Sequence, residues 1–334
     1  MNAVTPIRYR SRRRNQYDVT DSIQVTNPND VCKEVLQIYS ELHSEGKYAS
    51  LLETMFSDFT DLYTGEYPGF HACDTLYHDI HHSLDVTLAM ARLMSGFEQQ
   101  NPSKALGQDR FILGIACALF HDSGLIRREE DTAVNGAMYM PTHVQRSAEF
   151  LSMYLESVNL KRLAKIGVRL LHFTGYEIKI AHIDIHGIKD RELGNLLGTA
   201  DLIAQMADRC YLEKCRDRLF PEFVLGGMTD AFNESGDTGI ETPEDLLRQT
   251  PAFFREFAMD RLENQFKGSY RYASAYFKGK NPYMEEIYNN LLYIDAIIES
   301  ADFSQLRRVP PKTAGDKAFP YHLLPSNRQK RSAQ

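Results

Sequence analysis

The stretch Tyr77-His78-Asp79-Ile80-His81-His82-Ser83-Leu84-Asp85-Val86 places three histidines and two aspartates within ten positions. On a helix, His78 and His82 lie one turn apart on the same face, and Asp85 continues that face three positions later. The stretch therefore predicts a helix whose polar face suits the wall of a functional pocket.

Two other parts of the chain place acidic residues among apolar ones. His121-Asp122 ends the apolar run at residues 111–120, and Asp201 lies within the apolar run at residues 196–203. A carboxylate in such surroundings is costly to bury unless a cation compensates its charge. Imidazole and carboxylate groups bind Zn, Mn, Fe and, with more water, Mg. The three stretches together predict a divalent metal site built from separate helices.

These side chains also carry a family resemblance, which covers residues 70–215. Their order resembles the H…HD…D signature of the HD-domain phosphohydrolase superfamily, with His82, His121-Asp122 and Asp201 at the signature positions. Residues 77–86 are similar to the YHNxxHxxDV stretch of class I cyclic nucleotide phosphodiesterases, with Asp79 in place of Asn. The resemblance implies that the signature residues hold a first metal ion. It also implies that His78 is the general acid that protonates the departing ribose oxygen.

His143 and His172 fall in order between the His-Asp pair and Asp201. The resulting order H…HD…H…H…D resembles that of HD-GYP phosphodiesterases, whose extra histidines hold a second or third metal. This resemblance implies two divalent ions (Mn, Fe, Zn or Mg) bridged by Asp122, with His143 and His172 on the second ion. Residues 208–211 resemble the DRPY segment of that family, which implies that Arg209 contacts a substrate phosphate.

The residues and the resemblance favour a metal-dependent phosphohydrolase. The most favoured activity is a phosphodiesterase that hydrolyses a cyclic nucleotide or related nucleotide phosphodiester with a metal-activated hydroxide, and Asp122 and His78 are its catalytic residues. An HD-type phosphomonoesterase or nucleoside-triphosphate hydrolase stays open as an alternative. A non-catalytic regulatory module that binds metal or nucleotide is the alternative from another class.

Composition limits the other classes of function. The 334-residue chain has a net charge of −7 and five cysteines without a Cys-x-x-Cys pair. The acidic balance disfavours a nucleic-acid partner, and the cysteine pattern indicates a reduced, cytoplasmic protein. No apolar run approaches the roughly twenty residues that span a bilayer, and no signal peptide is evident. We expect a small nucleotide or phosphoester as partner and no membrane anchor, while a homo-oligomer stays open.

Apolar residues recur mostly at helical spacing, which predicts an all-α fold, an HD-domain-like helical bundle with disordered termini. Residues 1–28 carry five arginines and are predicted to form a disordered arm, and residues 309–334 a disordered basic tail. Between them we expect the metal-dependent core at residues 29–225 and a C-terminal helical part of the same domain at residues 226–308. Strand-like alternation is confined to residues 178–185.

The C-terminal helical part is rich in phenylalanine and tyrosine. Aromatic residues at helical spacing predict mainly core positions. The resemblance to cyclic nucleotide phosphodiesterases permits Tyr276 or Phe277 to close a base pocket. The sequence does not decide between these two roles.

Overall fold

The computed structural model describes residues 13–44, 46–229 and 239–324. Its α-helices are α1 Pro28–Leu42, α2 Ala49–Thr64, α3 Ile80–Gln100, α4 Gln108–Phe120, α5 His143–Ser157, α6 Lys161–Leu171, α7 Ile188–Ala207, α8 Tyr211–Lys214, α9 Phe220–Leu225, α10 Pro243–Ala252, α11 Tyr272–Tyr276, α12 Pro282–Ser300 and α13 Gly315–Ala318. Segments Cys215–Leu219, Phe253–Ala258 and Arg261–Gln265 are π-helical. The described residues contain no β-strand, which confirms the predicted all-α fold.

Short 3₁₀ segments connect these helices. They are Pro102–Lys104, Ser123–Leu125, Gly136–Thr142, Ile180–His182, Ser269–Arg271, Phe303–Gln305 and Tyr321–Leu323. Among the described residues, no helix is both long and apolar enough to cross a membrane.

Helix α3 lies at the centre of the core. Asp79 caps its N-terminus, because one carboxylate oxygen accepts the His82 N–H at 2.9 Å. Most of the helix is buried on all sides, which is typical of an interior helix. Helices α1, α4, α7 and α11 pack around it. At Gly96 an added Cβ would lie 1.9 Å from the Tyr272 carbonyl oxygen, so α11 crosses α3 where a side chain is lacking.

The alternating stretch at residues 178–185 does not form a strand. The Arg191 guanidinium donates to the carbonyl oxygens of Ile180 and Ile183 at 2.8 Å, and to that of Ile185 at 3.3 Å. These carbonyls would otherwise be the acceptors of a sheet ladder. Arg191, which lies in α7, therefore holds the segment in a compact turn.

The N-terminal prediction is wrong for residues 13–28. Asp18 and Arg92 are both buried, and Asp18 Oδ2 accepts from Arg92 Nη2 at 2.7 Å. An isolated bridge between Tyr17 and Gln24 closes the segment into a loop. Its polar composition is misleading, because one buried ion pair and the apolar contacts of Val25 with the main core hold the segment. Residues 1–12 lie outside the described residues.

The predicted disordered tail is also wrong in part. Residues 309–324, called here the C-terminal strap, pack against the loop that precedes α3. Phe319 and Leu324 are buried against Leu76 and Ala137 in a small apolar cluster separate from the main core. Phe319 and Leu324 are thus the apolar anchors of the strap. Residues 325–334 lie outside the described residues.

Candidate metal centre and cavity

Four of the predicted metal ligands meet where three helices converge. His82 lies in the first turn of α3, His121 and Asp122 directly follow α4, and Asp201 lies within α7. His82 Nε2 is 3.6 Å from Asp122 Oδ2 and 3.3 Å from Asp201 Oδ1. His121 Nε2 is 3.1 Å from Asp122 Oδ2 and 3.8 Å from Asp201 Oδ1. The four side chains therefore face a common point.

Two atoms at this point lack a hydrogen-bond partner. Among the described residues, His121 Nε2 and Asp122 Oδ2 are buried without one. An unsatisfied buried polar atom costs about 1–3 kcal/mol, and more if it is charged. His82, His121 and Asp122 each offer a ligand atom within 4.8 Å of the others, which is close enough to share one ion. The residues present thus fit a divalent cation, which would satisfy both atoms.

Backbone carbonyls fix the tautomers of two histidines. His121 Nδ1 donates to the Ala118 carbonyl oxygen at 2.9 Å, and His143 Nδ1 donates to that of Met140 at 2.6 Å. A carbonyl oxygen only accepts, so each Nδ1 must carry the hydrogen. The Nε2 atom of each neutral ring then has a free lone pair. This is the usual way in which a protein orients a metal-binding histidine.

The two oxygens of Asp122 face different histidines. Oδ2 faces His82 and His121, whereas Oδ1 lies 3.8 Å from His143 Nε2. His172 lies on the wall of the same cavity, where its Nδ1 is 2.6 Å from Glu177 Oε1. The position of Asp122 between two sets of imidazoles suits a carboxylate that bridges two ions.

The charges at the centre are strongly coupled. Burial raises the pKa of Asp122, but the adjacent His121 and the nearby His78 and His82 bring it well below its usual range. Burial lowers the pKa of His121, but Asp122 and then Asp201 raise it to about 9. Asp122 is therefore ionised, and a bound cation would compete with protons on the imidazoles.

His78 forms a buried pair with Glu222, a residue that the sequence analysis missed. Its Nδ1 lies 2.5 Å from Glu222 Oε2, while Glu222 Oε1 accepts the Tyr77 N–H at 2.5 Å and the His78 N–H at 3.4 Å. Burial lowers the pKa of His78, but the Glu222 carboxylate outweighs it and raises that pKa to about 9. Glu222 is fully buried, and the only sequence signal for this was its apolar flank of Phe220, Pro221 and Phe223.

The candidate metal centre opens into a cavity of about 830 Å³. This volume lies within the range typical of small-molecule sites. Its walls carry aromatic and aliphatic side chains together with a few amides, including Tyr176, Phe223, Phe253, Leu246, Ile178, Gln205 and Gln249. No lysine or arginine is among the described lining residues. The positive partners of an anionic group in the cavity would therefore be imidazoles and a bound cation, beside the carboxylates of Asp122, Glu177 and Asp201.

Several residues considered from the sequence lie elsewhere. Tyr276 and Phe277 do not line the cavity; their rings pack over the Arg92 guanidinium at 5.8 and 5.2 Å. Asp85 does not line the cavity that His82 lines, but a small polar pocket with His81 and other charged side chains. Burial and the nearby Asp208 raise the pKa of Asp85 to about 7.

Arg209 is not brought to the cavity. Its Nε donates to Asn15 Oδ1 at 2.9 Å, and its own carbonyl oxygen accepts from Arg308. The chain turns at Asp208, directly after α7, so residue 209 faces the N-terminal segment instead of the metal centre. The DRPY-like segment thus has a structural contact here that its sequence did not indicate.

All the other predicted site residues lie at or beside one cavity: His78, His82, His121, Asp122, His143, His172 and Asp201. They come from five different segments of the chain, between residues 78 and 201. The sequence matches no protein-family model and no curated protein.

Proposed function

We propose that this chain is a metal-dependent phosphohydrolase, a phosphodiesterase that acts on a cyclic nucleotide or related nucleotide phosphodiester. The observation that carries the proposal is the convergence of His82, His121, Asp122 and Asp201 at one end of an 830 Å³ cavity. Two imidazoles and two carboxylates form a ligand set that Mn, Fe, Zn and Mg accept. The resemblance to the HD-domain superfamily supports the same activity.

The two oxygens of Asp122 suggest how the ligands divide. We assign the first ion to His82, His121, Asp201 and Asp122 Oδ2, and the second ion to Asp122 Oδ1 with His143 and His172. A pair of such ions, when bound, supplies a nucleophile from water at neutral pH and compensates the charge of the phosphoryl group. The protein's part is to keep the Nε2 atoms of His121 and His143 as lone-pair donors.

His78 fits the role of general acid. Glu222 holds its Nδ1, so Nε2 is the nitrogen left to donate a proton, and His78 lines the cavity. A pKa near 9 keeps the ring protonated at neutral pH. A ribose alkoxide is a poor leaving group, and a proton delivered to it in the transition state accelerates cleavage by about 10²–10⁴-fold.

The lining of the cavity favours an organic diester over a small phosphomonoester. Beyond the ligands, the walls include the apolar side chains of Ile178, Leu246 and Phe253, and the amides of Gln205 and Gln249. Apolar walls with a few polar groups are typical of sites that bury a planar organic ring and orient it. We therefore place the nucleoside part of the substrate there, with its phosphate at the histidines and aspartates.

A paired substrate screen tests this function. Metal-free protein is supplied with Mn, Fe, Zn or Mg and then given bis-p-nitrophenyl phosphate, p-nitrophenyl phosphate and a panel of cyclic nucleotides. We expect metal-dependent hydrolysis that favours the diesters, and loss of cyclic nucleotide hydrolysis in H78A. The exposed His186 provides the matched control variant H186A, which should retain full activity.

The same screen separates the alternatives once nucleoside triphosphates and a nucleotide-binding measurement are added to it. Preference for the monoester or for a nucleoside triphosphate would replace the diesterase by the other HD-type activities. Metal-dependent nucleotide binding without hydrolysis of any phosphoester would instead indicate a regulatory module.

A further inference from the structure

We infer that the C-terminal strap positions the His78–Glu222 pair and is therefore part of the catalytic apparatus, an inference that rests on the proposed function. The two partners of this pair come from distant parts of the chain, since His78 precedes α3 and Glu222 lies in α9. A short contact between such segments needs something that holds both. The strap contacts both.

The first link is apolar. Phe319 and Leu324 of the strap are about 5% and 4% exposed, and they pack with Leu76, two residues before His78. Val224 and Leu225, which follow Glu222 in α9, pack against the same cluster. One small cluster thus ties the loop of His78 to the helix of Glu222.

The second link is a close backbone approach. A Cβ on Gly315 would lie only 2.0 Å from the Thr75 carbonyl oxygen, so the strap touches the loop directly. Thr75 Oγ1 in turn donates to the His78 carbonyl oxygen at 2.8 Å. The strap therefore supports the backbone of the general acid through one intervening residue.

The third link is electrostatic. Buried Arg218 donates through Nη2 to the Pro311 carbonyl oxygen at 2.5 Å and lies 3.5 Å from Asp316 Oδ1, both within the strap. Its Nη1 lies 3.3 Å from Asp79 Oδ2. Asp79 caps the helix that carries His82, so the same arginine connects the strap to the start of α3.

If the strap had only a structural role, a substitution in it would change stability alone. If the strap positions the pair, the substitution also changes the contact between His78 and Glu222. The Nδ1 proton of His78 reports that contact without turnover, because a short hydrogen bond to a carboxylate moves its NMR signal far downfield. We expect F319A to shift this signal upfield in the full-length chain labelled with ¹⁵N-histidine. L323A is the matched control, since Leu323 lies in the strap but is 48% exposed.

Kinetics give the second readout. F319A should lower kcat about tenfold on a nucleoside 3′,5′-cyclic phosphate, which needs the proton, and far less on bis-p-nitrophenyl phosphate, whose p-nitrophenolate leaves without one. In an H78A background, F319A should cause no further loss on the cyclic substrate. If F319A does not fold, F319L should show the same changes in weaker form.

An unshifted Nδ1 signal in folded F319A would overturn the inference, whether or not the chain hydrolyses any substrate. Equal kcat losses of F319A on both diesters would overturn it too. So would a further loss caused by F319A in the H78A background on the cyclic substrate. A shifted signal in a chain that hydrolyses neither substrate would support the positioning role and count against the proposed function instead.

Discussion

Replacing Glu222 by glutamine removes the negative charge beside His78 and keeps the size of the side chain. Glu222 is fully buried, and its Oε2 lies 2.5 Å from His78 Nδ1. The glutamine oxygen can still accept the Tyr77 N–H, so the backbone of the loop should stay in place. The main consequence should be a lower pKa of His78.

The magnitude follows from that pKa. Raising it from 6.5 to about 9 corresponds to on the order of 3 kcal/mol in favour of the imidazolium. Because the folded-state pKa is raised, this stabilisation is fully present below pH 6.5 and is lost as the pH rises through about 9. In metal-free protein, E222Q should therefore lower the free energy of unfolding at pH 6, and the difference should shrink above pH 9.

The kinetic effect has a defined direction as well. A general acid must be protonated, so a lower pKa of His78 moves the alkaline limb of the kcat profile to lower pH. We expect E222Q to reduce kcat on a cyclic nucleotide about tenfold at neutral pH, measured by product release across the pH range. Hydrolysis of bis-p-nitrophenyl phosphate should change little.

The matched control is E213Q. Glu213 is also fully buried, but its Oε1 accepts the Arg308 N–H at 3.1 Å, away from the cavity. This variant should lose stability without a change in the pH profile of kcat. An alkaline limb in E222Q that coincides with the wild-type one would refute the role assigned to the His78–Glu222 pair.

Two further predictions concern the fold. D18N leaves Arg92 buried without its ionic partner and should lower the free energy of unfolding by about 3–5 kcal/mol in urea titrations. At the half-exposed Asp21, D21N should cost under about 1 kcal/mol. A small loss in D18N would show that the N-terminal segment is not anchored. G198A places a Cβ 2.4 Å from Phe266 Cζ and should destabilise the chain by about 1–3 kcal/mol, and an unchanged melting temperature would contradict this packing.

The sequence predicted the all-α fold correctly, because the helical spacing of apolar residues is visible within each short segment. The sequence did not predict the structure of the segments near the two ends of the chain. Residues 13–28 and the strap are segments held by a few long-range contacts, such as Asp18 with Arg92 and Phe319 with Leu76. Composition reports the average character of a segment, whereas one buried ion pair or one aromatic anchor can order it.

The sequence also predicted one part of the candidate site and missed another. Motif spacing selected the four residues that meet at the centre, and three of them, His121, Asp122 and Asp201, also end or interrupt an apolar stretch. Glu222 escaped notice because its role depends on a histidine 144 positions earlier in the chain. Arg209 was misleading because its neighbours matched a motif, while the turn after α7 directs it toward Asn15.

Metal content of the purified chain is the sharpest test of the proposed two-metal site. Elemental mass spectrometry should find two divalent ions per wild-type chain, and D122A should lose both together with hydrolysis. D190A is the matched control, because Asp190 lies on the same helix as Asp201 but pairs with Arg110 at 2.7 Å, and it should keep both ions. An unchanged metal load with unchanged hydrolysis in D122A would rule out the proposed metal site.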